Sequence, residues 1–527
     1  MAMSNTKLIA GRTVRWDDER AAEAYARGWW VRETLADSLA DAAHRTPQRV
    51  VLIDGDYRLD CHSLCEQATA LAHALLERMT VGSVVSFMLP NWHEAAVIYL
   101  GATIAGMVVN PILPSLRDSE LLFILRDADT RIIFVPSAFG RHDYAAMLSR
   151  VVGQLENPPE VVIVRDGRPL PEAKSPTAGL PALDPDAVRM LLYTSGTTGR
   201  PKGVLHSHNS MHALITQLRD HWQVQPGDRF LVPSPIAHIG GSIYVFECPL
   251  LLGTSAVLMD RWDPDMAVEL IEGNGCTHIS GATPFLEQLL AAAERAGTRL
   301  PGLKLFVCGG ASVSPSLIRR AADYFERTAV TRVYGSTEVP VITVGAPLDP
   351  DHAADTDGRP GFATIALRGA GGEIRARGPQ MLVGYLHGQA EAESFDSDGY
   401  FHTGDLGCWV DDDYLVVTGR AKDLIIRNGE NIAPKEIEDI LIGHPGVADI
   451  AIVGLPDART GERACAVIVP TDEARPDVAS LRDYLQTRGV AIFKAPEQVA
   501  IWEALPRNDA GKVLKHQIQA ALTATDG

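Results

Sequence analysis

Short apolar runs bounded by polar turns alternate with amphipathic helical stretches over most of this chain. That alternation restricts the fold more than any other feature. Ser83 to Leu89, Arg131 to Pro136, Glu160 to Arg165, Ser255 to Met259, Thr277 to Ser280 and Leu303 to Cys308 read as strands. Leu121 to Asp127, Pro264 to Gly273 and Pro284 to Arg295 read as helices. Strands separated by helices imply α/β layers with mainly parallel sheets, whose ligands gather in loops at the carboxyl ends of strands. At 527 residues the chain exceeds what one core supports, so several layers and at least two domains are expected.

The pattern changes after about residue 350. Tight turns at Gly372-Glu373 and Asp411-Asp412-Asp413 suggest a β-rich subdomain near 355–418. Beyond Gly419 comes a self-contained run: a strand, helix Pro434 to Ile442, strands Val447 to Val453 and Ala464 to Pro470, helix Val478 to Arg488 and a tail. The expected fold is therefore α/β, with a large N-terminal domain of layered sheets, 1–418, and a small α+β C-terminal domain, 419–527.

Composition removes several function classes. The net charge of −18 opposes a nucleic-acid partner, because phosphates are repelled by such a surface. Seven cysteines without a CxxC pair fit reduced, buried thiols in a cytoplasm better than zinc or disulfides. Met1 to Trp16 has no apolar core of a secretory signal. Ala95 to Leu113 is uncharged and about as long as a membrane span, but Gly101, Gly106, Asn110 and Pro111 interrupt it. A buried helix followed by a core strand is expected there, with no transmembrane segment. Homo-oligomer formation is compatible with all of this.

The strongest chemical signal is the run from Leu191 to Val204, LLYTSGTTGRPKGV. An apolar strand end passes into hydroxyls and glycines, whose backbone N–H groups can converge on an anion, and then into Lys202 as a point charge for phosphate. The spacing is not that of a Walker loop. The run resembles the phosphate-binding signature of the adenylate-forming superfamily: acyl-CoA synthetases, luciferases and peptide-synthetase adenylation domains. Four further motifs follow in that family's order. They are VYGSTE at 333–338, YFHTGDLG at 400–407, GRAKDLIIRNGENIAP at 419–434 and PRNDAGK at 506–512.

What the resemblance implies can be stated residue by residue. Thr194, Ser195, Gly196, Thr197, Thr198, Gly199 and Lys202 hold the phosphates of ATP. Gly310 and Ala311 flank adenine and the acyl group, and Tyr334 and Gly335 belong to the second ATP motif. Thr337 bonds the α-phosphate and Glu338 holds Mg²⁺, a hard cation suited to carboxylate oxygen. Asp405 accepts the ribose hydroxyls and Arg420 adds a charged donor. Lys512 is the catalytic cation, and Lys422 is the pivot of a hinge at 419–422 that makes the C-terminal domain a mobile lid. Gly429 lines the path of CoA. The acyl pocket is read from His238, Ile239, Gly240, Gly241, Gly281 and Pro340, with the two glycines after the gate leaving room; His238 as an ordinary buried histidine is the alternative. No aspartate stands near His238 to pair a substrate ammonium, which weighs against an amino acid. The expected reaction joins a medium-size apolar acid to CoA, with ATP cleaved to AMP and pyrophosphate. The expected setting is cytoplasmic, with fatty acid metabolism as the context. The rival is an aryl or acyl acid ligase that loads a carrier protein's phosphopantetheine.

Overall fold

The computed structural model describes residues 6–174, 179–194, 201–310, 313–369, 371–388, 391–427, 430–457, 459–471, 475–508 and 511–525. Two seven-stranded sheets form its centre. In spatial order the first contains Glu160–Val164, Thr130–Pro136, Val84–Phe87, Val108–Pro111, Val188–Thr194, Lys202–Ser207 and Gly384–Tyr385. Its first five strands are parallel, and the last two run antiparallel to their neighbours. The second runs Ala329–Arg332, Leu305–Cys308, His278–Gly281, Arg229–Val232, Ser255–Leu258, Val50–Asp54 and Tyr57–Asp60. It is parallel except for the hairpin at 50–60.

The uncharged segment after Ala95 resolves as expected. Helix His93–Ile104 is buried at every position from Ala95 to Ile104. It shares one apolar cluster with Phe87 and Val109 of the first sheet and with Phe230, Val232 and Leu258 of the second. A helix enclosed by two sheets has no face that needs polarity. Gly101 permits this packing, since a Cβ there would stand 3.0 Å from the Ala68 carbonyl oxygen on the neighbouring helix. Among the described residues, no helix is long and apolar enough to cross a membrane.

Local chemistry sets the element ends. Asp263 caps helix Pro264–Asn274 through the N–H groups of Asp265 and Met266, and Gly275 ends it at φ +62°. Beyond the two large sheets, Thr364–Arg368, Glu373–Arg377, Phe401–Val410 and Tyr414–Arg420 form an antiparallel four-stranded sheet. Asp411 and Asp412 both adopt positive φ, as a tight hairpin between twisted strands requires. A five-stranded sheet follows, built on the long pair Val447–Asp457 and Gly461–Pro470, with Glu430–Ile432, Ile425–Arg427 and Gln498–Ile501 beside them. It has its own apolar core around Ile437, Ile452, Ile468 and Leu481. The expected strands and helices stand within a few residues of their predicted bounds. The strand expected ahead of helix Pro434 is Ile425–Arg427, paired with Glu430–Ile432; the exceptions are the long reach of Val447–Asp457 and the unforeseen strand Gln498–Ile501.

Candidate active site

Tyr334, Glu338, Asp405, Arg420 and Lys512 gather beyond the carboxyl ends of the second sheet and beside strands Lys202–Ser207 and Gly384–Tyr385 of the first. Tyr334 lies two residues beyond strand Ala329–Arg332 and exchanges backbone and side-chain bonds with Thr343, which closes the 334–343 loop. Its hydroxyl donates to Asp405 Oδ2 at 2.7 Å. Asp405 and Arg420 face each other across the hairpin of the four-stranded sheet, and Arg420 Nε lies 3.0 Å from Asp405 Oδ1. Burial and the Asp405 charge hold the Tyr334 phenol well above its usual range, so it stays a neutral donor. A carboxylate offers about four lone-pair sites, so Asp405, with one partner on each oxygen, can still accept two sugar hydroxyls.

The C-terminal motif reaches the same spot. Asn508 and Lys512 bond each other reciprocally, Asn508 N–H to the Lys512 carbonyl at 2.9 Å and Lys512 N–H to Asn508 Oδ1 at 2.8 Å. Arg507 is tied to Asp449 at 2.7 Å, and Lys515 to Glu438 at 2.6 Å. Gly511 has φ +76°, and a Cβ there would lie 3.2 Å from Cβ of Ala282, at the end of strand His278–Gly281. The loop thus rests against the second sheet and delivers Lys512 into the site. Burial, aided by the positive charges of Arg420 and Lys422 and opposed by Asp405 and Asp423, lowers the Lys512 ammonium to about 8.

A third group surrounds Glu338. Thr194 and Lys202 are direct antiparallel partners, so the two ends of the signature stand side by side. Lys202 Nζ stands 5.4 Å from the ring centre of Tyr385, whose hydroxyl lies 3.3 Å from Glu338 Oε1. Leu382 N–H donates to the Glu338 carbonyl at 2.7 Å. His206 Nε2 lies 2.8 Å from the Thr337 carbonyl oxygen. A carbonyl only accepts, so Nε2 carries the proton, and burial lowers His206 to about 4, leaving the ring neutral. His206 and Tyr385 carry no motif signal, although both fix the positions of residues that do. Gly335 is required by close approach, since a Cβ would meet the Val341 nitrogen at 2.5 Å. Ser195, Gly196, Thr197, Thr198, Gly199, Ala311 and Gly429 lie outside the described residues.

On the acyl side, His238 caps helix Ile239–Phe246, its Nδ1 accepting from Gly240 N–H at 3.2 Å. The ring keeps exposed surface, and desolvation by the protein around it pushes its pKa down. A Cβ at Gly240 would meet His238 Nδ1 at an ordinary 3.5 Å, but Gly241 does not open the pocket: a Cβ would stand 2.3 Å from the Pro235 carbonyl oxygen. The room beside Gly281 is taken by the Phe285 ring, which stacks on Trp262 at 4.6 Å. Pro340 and Ile239 are buried. Val341 adopts φ +47°, costly for a β-branched residue, with its carbonyl held by Gln217 Nε2 at 3.1 Å.

Lys422 belongs to the short turn Ala421–Asp423, exposed between strands Tyr414–Arg420 and Ile425–Arg427, where the chain passes from the four-stranded to the five-stranded sheet.

Comparison with known proteins agrees with this arrangement. The AMP-binding enzyme family matches residues 39–386, and the AMP-binding enzyme C-terminal domain matches 436–512. The chain is 31% identical to the medium-chain fatty-acid–CoA ligase of Escherichia coli, over 97% of this chain and 94% of that protein. It is 30% identical to the 2,3-dihydroxybenzoate-AMP ligase of Bacillus subtilis, over 96% and 97%. Among solved structures, ATP-bound MatB from Rhodopseudomonas palustris superposes with a TM-score of 0.82 at 28% identity, covering 93% of this chain and 99% of that one. The chain therefore belongs to the AMP-binding enzymes, the adenylate-forming superfamily.

Proposed function

We propose that this ligase activates a medium-size apolar monocarboxylic acid with ATP and passes the acyl group to CoA. The observation that carries the reading is the meeting of Lys512 with the Asp405–Arg420 pair at the carboxyl ends of the second sheet. Two anions, a carboxylate and an α-phosphate, must approach each other, and a half-buried ammonium offsets the charge that grows between them. Asp405 accepts the ribose hydroxyls, Arg420 and Tyr334 keep it aimed, and Thr337 donates to the α-phosphate from a backbone that His206 steadies. Lys202 and residues 194–199 hold the departing phosphates. Glu338 supplies a hard oxygen ligand that fits Mg²⁺, which when bound screens phosphate charge. The acid oxygen bonds to the α-phosphorus as the bond to pyrophosphate breaks. The CoA sulfur then takes the acyl carbon, AMP leaves, and the thiol proton goes to solvent.

One site serves both steps if residues 419–527 swing about Lys422 as a lid on residues 1–418, withdrawing Lys512 and bringing Gly429 beside the thiol path. The apolar character of Ile239, Val341 and Phe285 supports an acid without a second charge, because an unpaired buried charge is costly. An acid panel read by pyrophosphate release tests this, and strong preference for acetate, a dicarboxylate or an amino acid would contradict it. The likeness to the 2,3-dihydroxybenzoate-AMP ligase supports a second reading, an aryl acid loaded onto a carrier protein. Turnover with free CoA against turnover with a carrier protein separates the two. The negative surface and the reduced cysteines support a cytoplasmic setting.

A further inference from the structure

Asn91 is 4% exposed and takes no part in the chemistry above. Its Nδ2 lies 3.0 Å from the Val232 carbonyl oxygen, 2.9 Å from that of Ser234 and 3.0 Å from that of Met259. Its Oδ1 accepts the Ile236 N–H at 3.0 Å. All four partners are main-chain groups where strands Arg229–Val232 and Ser255–Leu258 of the second sheet run out. Asn91 itself follows strand Val84–Phe87 of the first sheet and precedes helix His93–Ile104. One amide therefore spans the gap between the two sheets at the edge where the acyl residues lie.

The loop it grips is the one that carries His238. His238 N–H donates to the Pro235 carbonyl at 3.0 Å, and Gly241 is wedged against the same carbonyl. Ile236 and Ile239 pack with Trp92 in one apolar cluster. A displacement of residues 232–236 is thus transmitted to His238 and Ile239 through short backbone links. An amide combines two N–H donors for the carbonyls with an oxygen that accepts an N–H, whereas a hydroxyl has one proton to give and aspartate would turn a carboxylate on three carbonyl oxygens.

We propose that Asn91 is the positioning residue that sets the width of the acid-binding recess, and so the enzyme's ranking of acids. This rests on the acid-ligase reading. Acid-dependent pyrophosphate release by the wild type is therefore measured first, and its absence would fail that reading rather than this one. Asn91→Ala and the milder Asn91→Ser are then compared with Asn110→Ala. Asn110 is equally buried but donates to Ser86 Oγ at 3.1 Å, away from the loop. In the Asn91 variants the acid KM rises about tenfold with the ATP KM within about twofold, since a loosened recess loses methylene-level fit. The preference in kcat/KM for the best acid over one two methylenes longer falls about fivefold or more. Asn110→Ala lowers Tm but leaves the acid ranking unchanged. An unchanged ranking in both Asn91 variants, or parallel rises in acid and ATP KM, overturns the proposal. So does failure of both Asn91 variants to fold while Asn110→Ala folds, because the amide would then be a stability element only.

Discussion

The lowered pKa of Lys512 makes the first half-reaction sensitive to alkali. With the ammonium at about 8 in the free enzyme, its protonated fraction falls from roughly nine-tenths at pH 7 to roughly one-tenth at pH 9. The direction follows from the causes: burial and two neighbouring cations disfavour the charged form, so charge is lost earlier than in a free lysine. If the cation is needed for acyl-adenylate formation, kcat/KM for pyrophosphate release drops about tenfold between those pH values, because kcat/KM reports ionisations of the free enzyme. Thioester formation from supplied acyl-adenylate lacks that limb. Lys512→Arg, whose guanidinium stays protonated, removes the limb at whatever rate survives the change of geometry. Weakening the positive neighbour with Arg420→Gln moves the limb upward. A limb near pH 8 that persists in Lys512→Arg would refute the reasoning and assign the titration to another group.

Lys512→Ala abolishes acyl-adenylate formation and leaves transfer from preformed acyl-adenylate to CoA largely intact; equal loss of both half-reactions contradicts the assignment. Lys422→Pro, which fixes φ near −65° in the turn between the sheets, keeps the first step near wild type and slows thioester formation severely, as single-turnover kinetics will read. Gly429→Leu spares the first step in the same assay. His206→Ala orphans the part-buried Thr337 carbonyl and costs about 1 kcal/mol in denaturant unfolding, with a matching loss in adenylation. Because His206 is held near 4, the unfolded chain binds its proton first on acidification. Its contribution to stability is complete above about pH 6.5 and is lost as pH falls toward 4, so the wild-type Tm drop across that window shrinks in His206→Ala.

Local pattern carried the strands, the helices and the motif residues, because periodicity and turn chemistry act within a few residues. Sheet membership was not legible. Strand Val50–Asp54 pairs with Ser255–Leu258, and nothing local to either announces the other. The meeting of Lys512 with Asp405 was implied only by the family resemblance, since Asp405 lies in strand Phe401–Val410 and Lys512 in a distant segment outside any sheet. His206, Tyr385 and Asn91 were hidden because each acts on another residue's main chain or side chain, a role that leaves no spacing to read. Gly241 illustrates the opposite error. A glycine beside a pocket suggests space, whereas this one answers a backbone contact with Pro235.

The central claim is that acid and ATP yield an acyl-adenylate whose acyl group is handed to CoA. Its most direct test is a product balance with the preferred acid, quantified by mass spectrometry with and without CoA. The account predicts AMP, pyrophosphate and acyl-CoA in equal amounts with CoA present, and enzyme-bound acyl-AMP with pyrophosphate when CoA is withheld. ADP and phosphate as products, or nucleotide cleavage that ignores the acid, would contradict it.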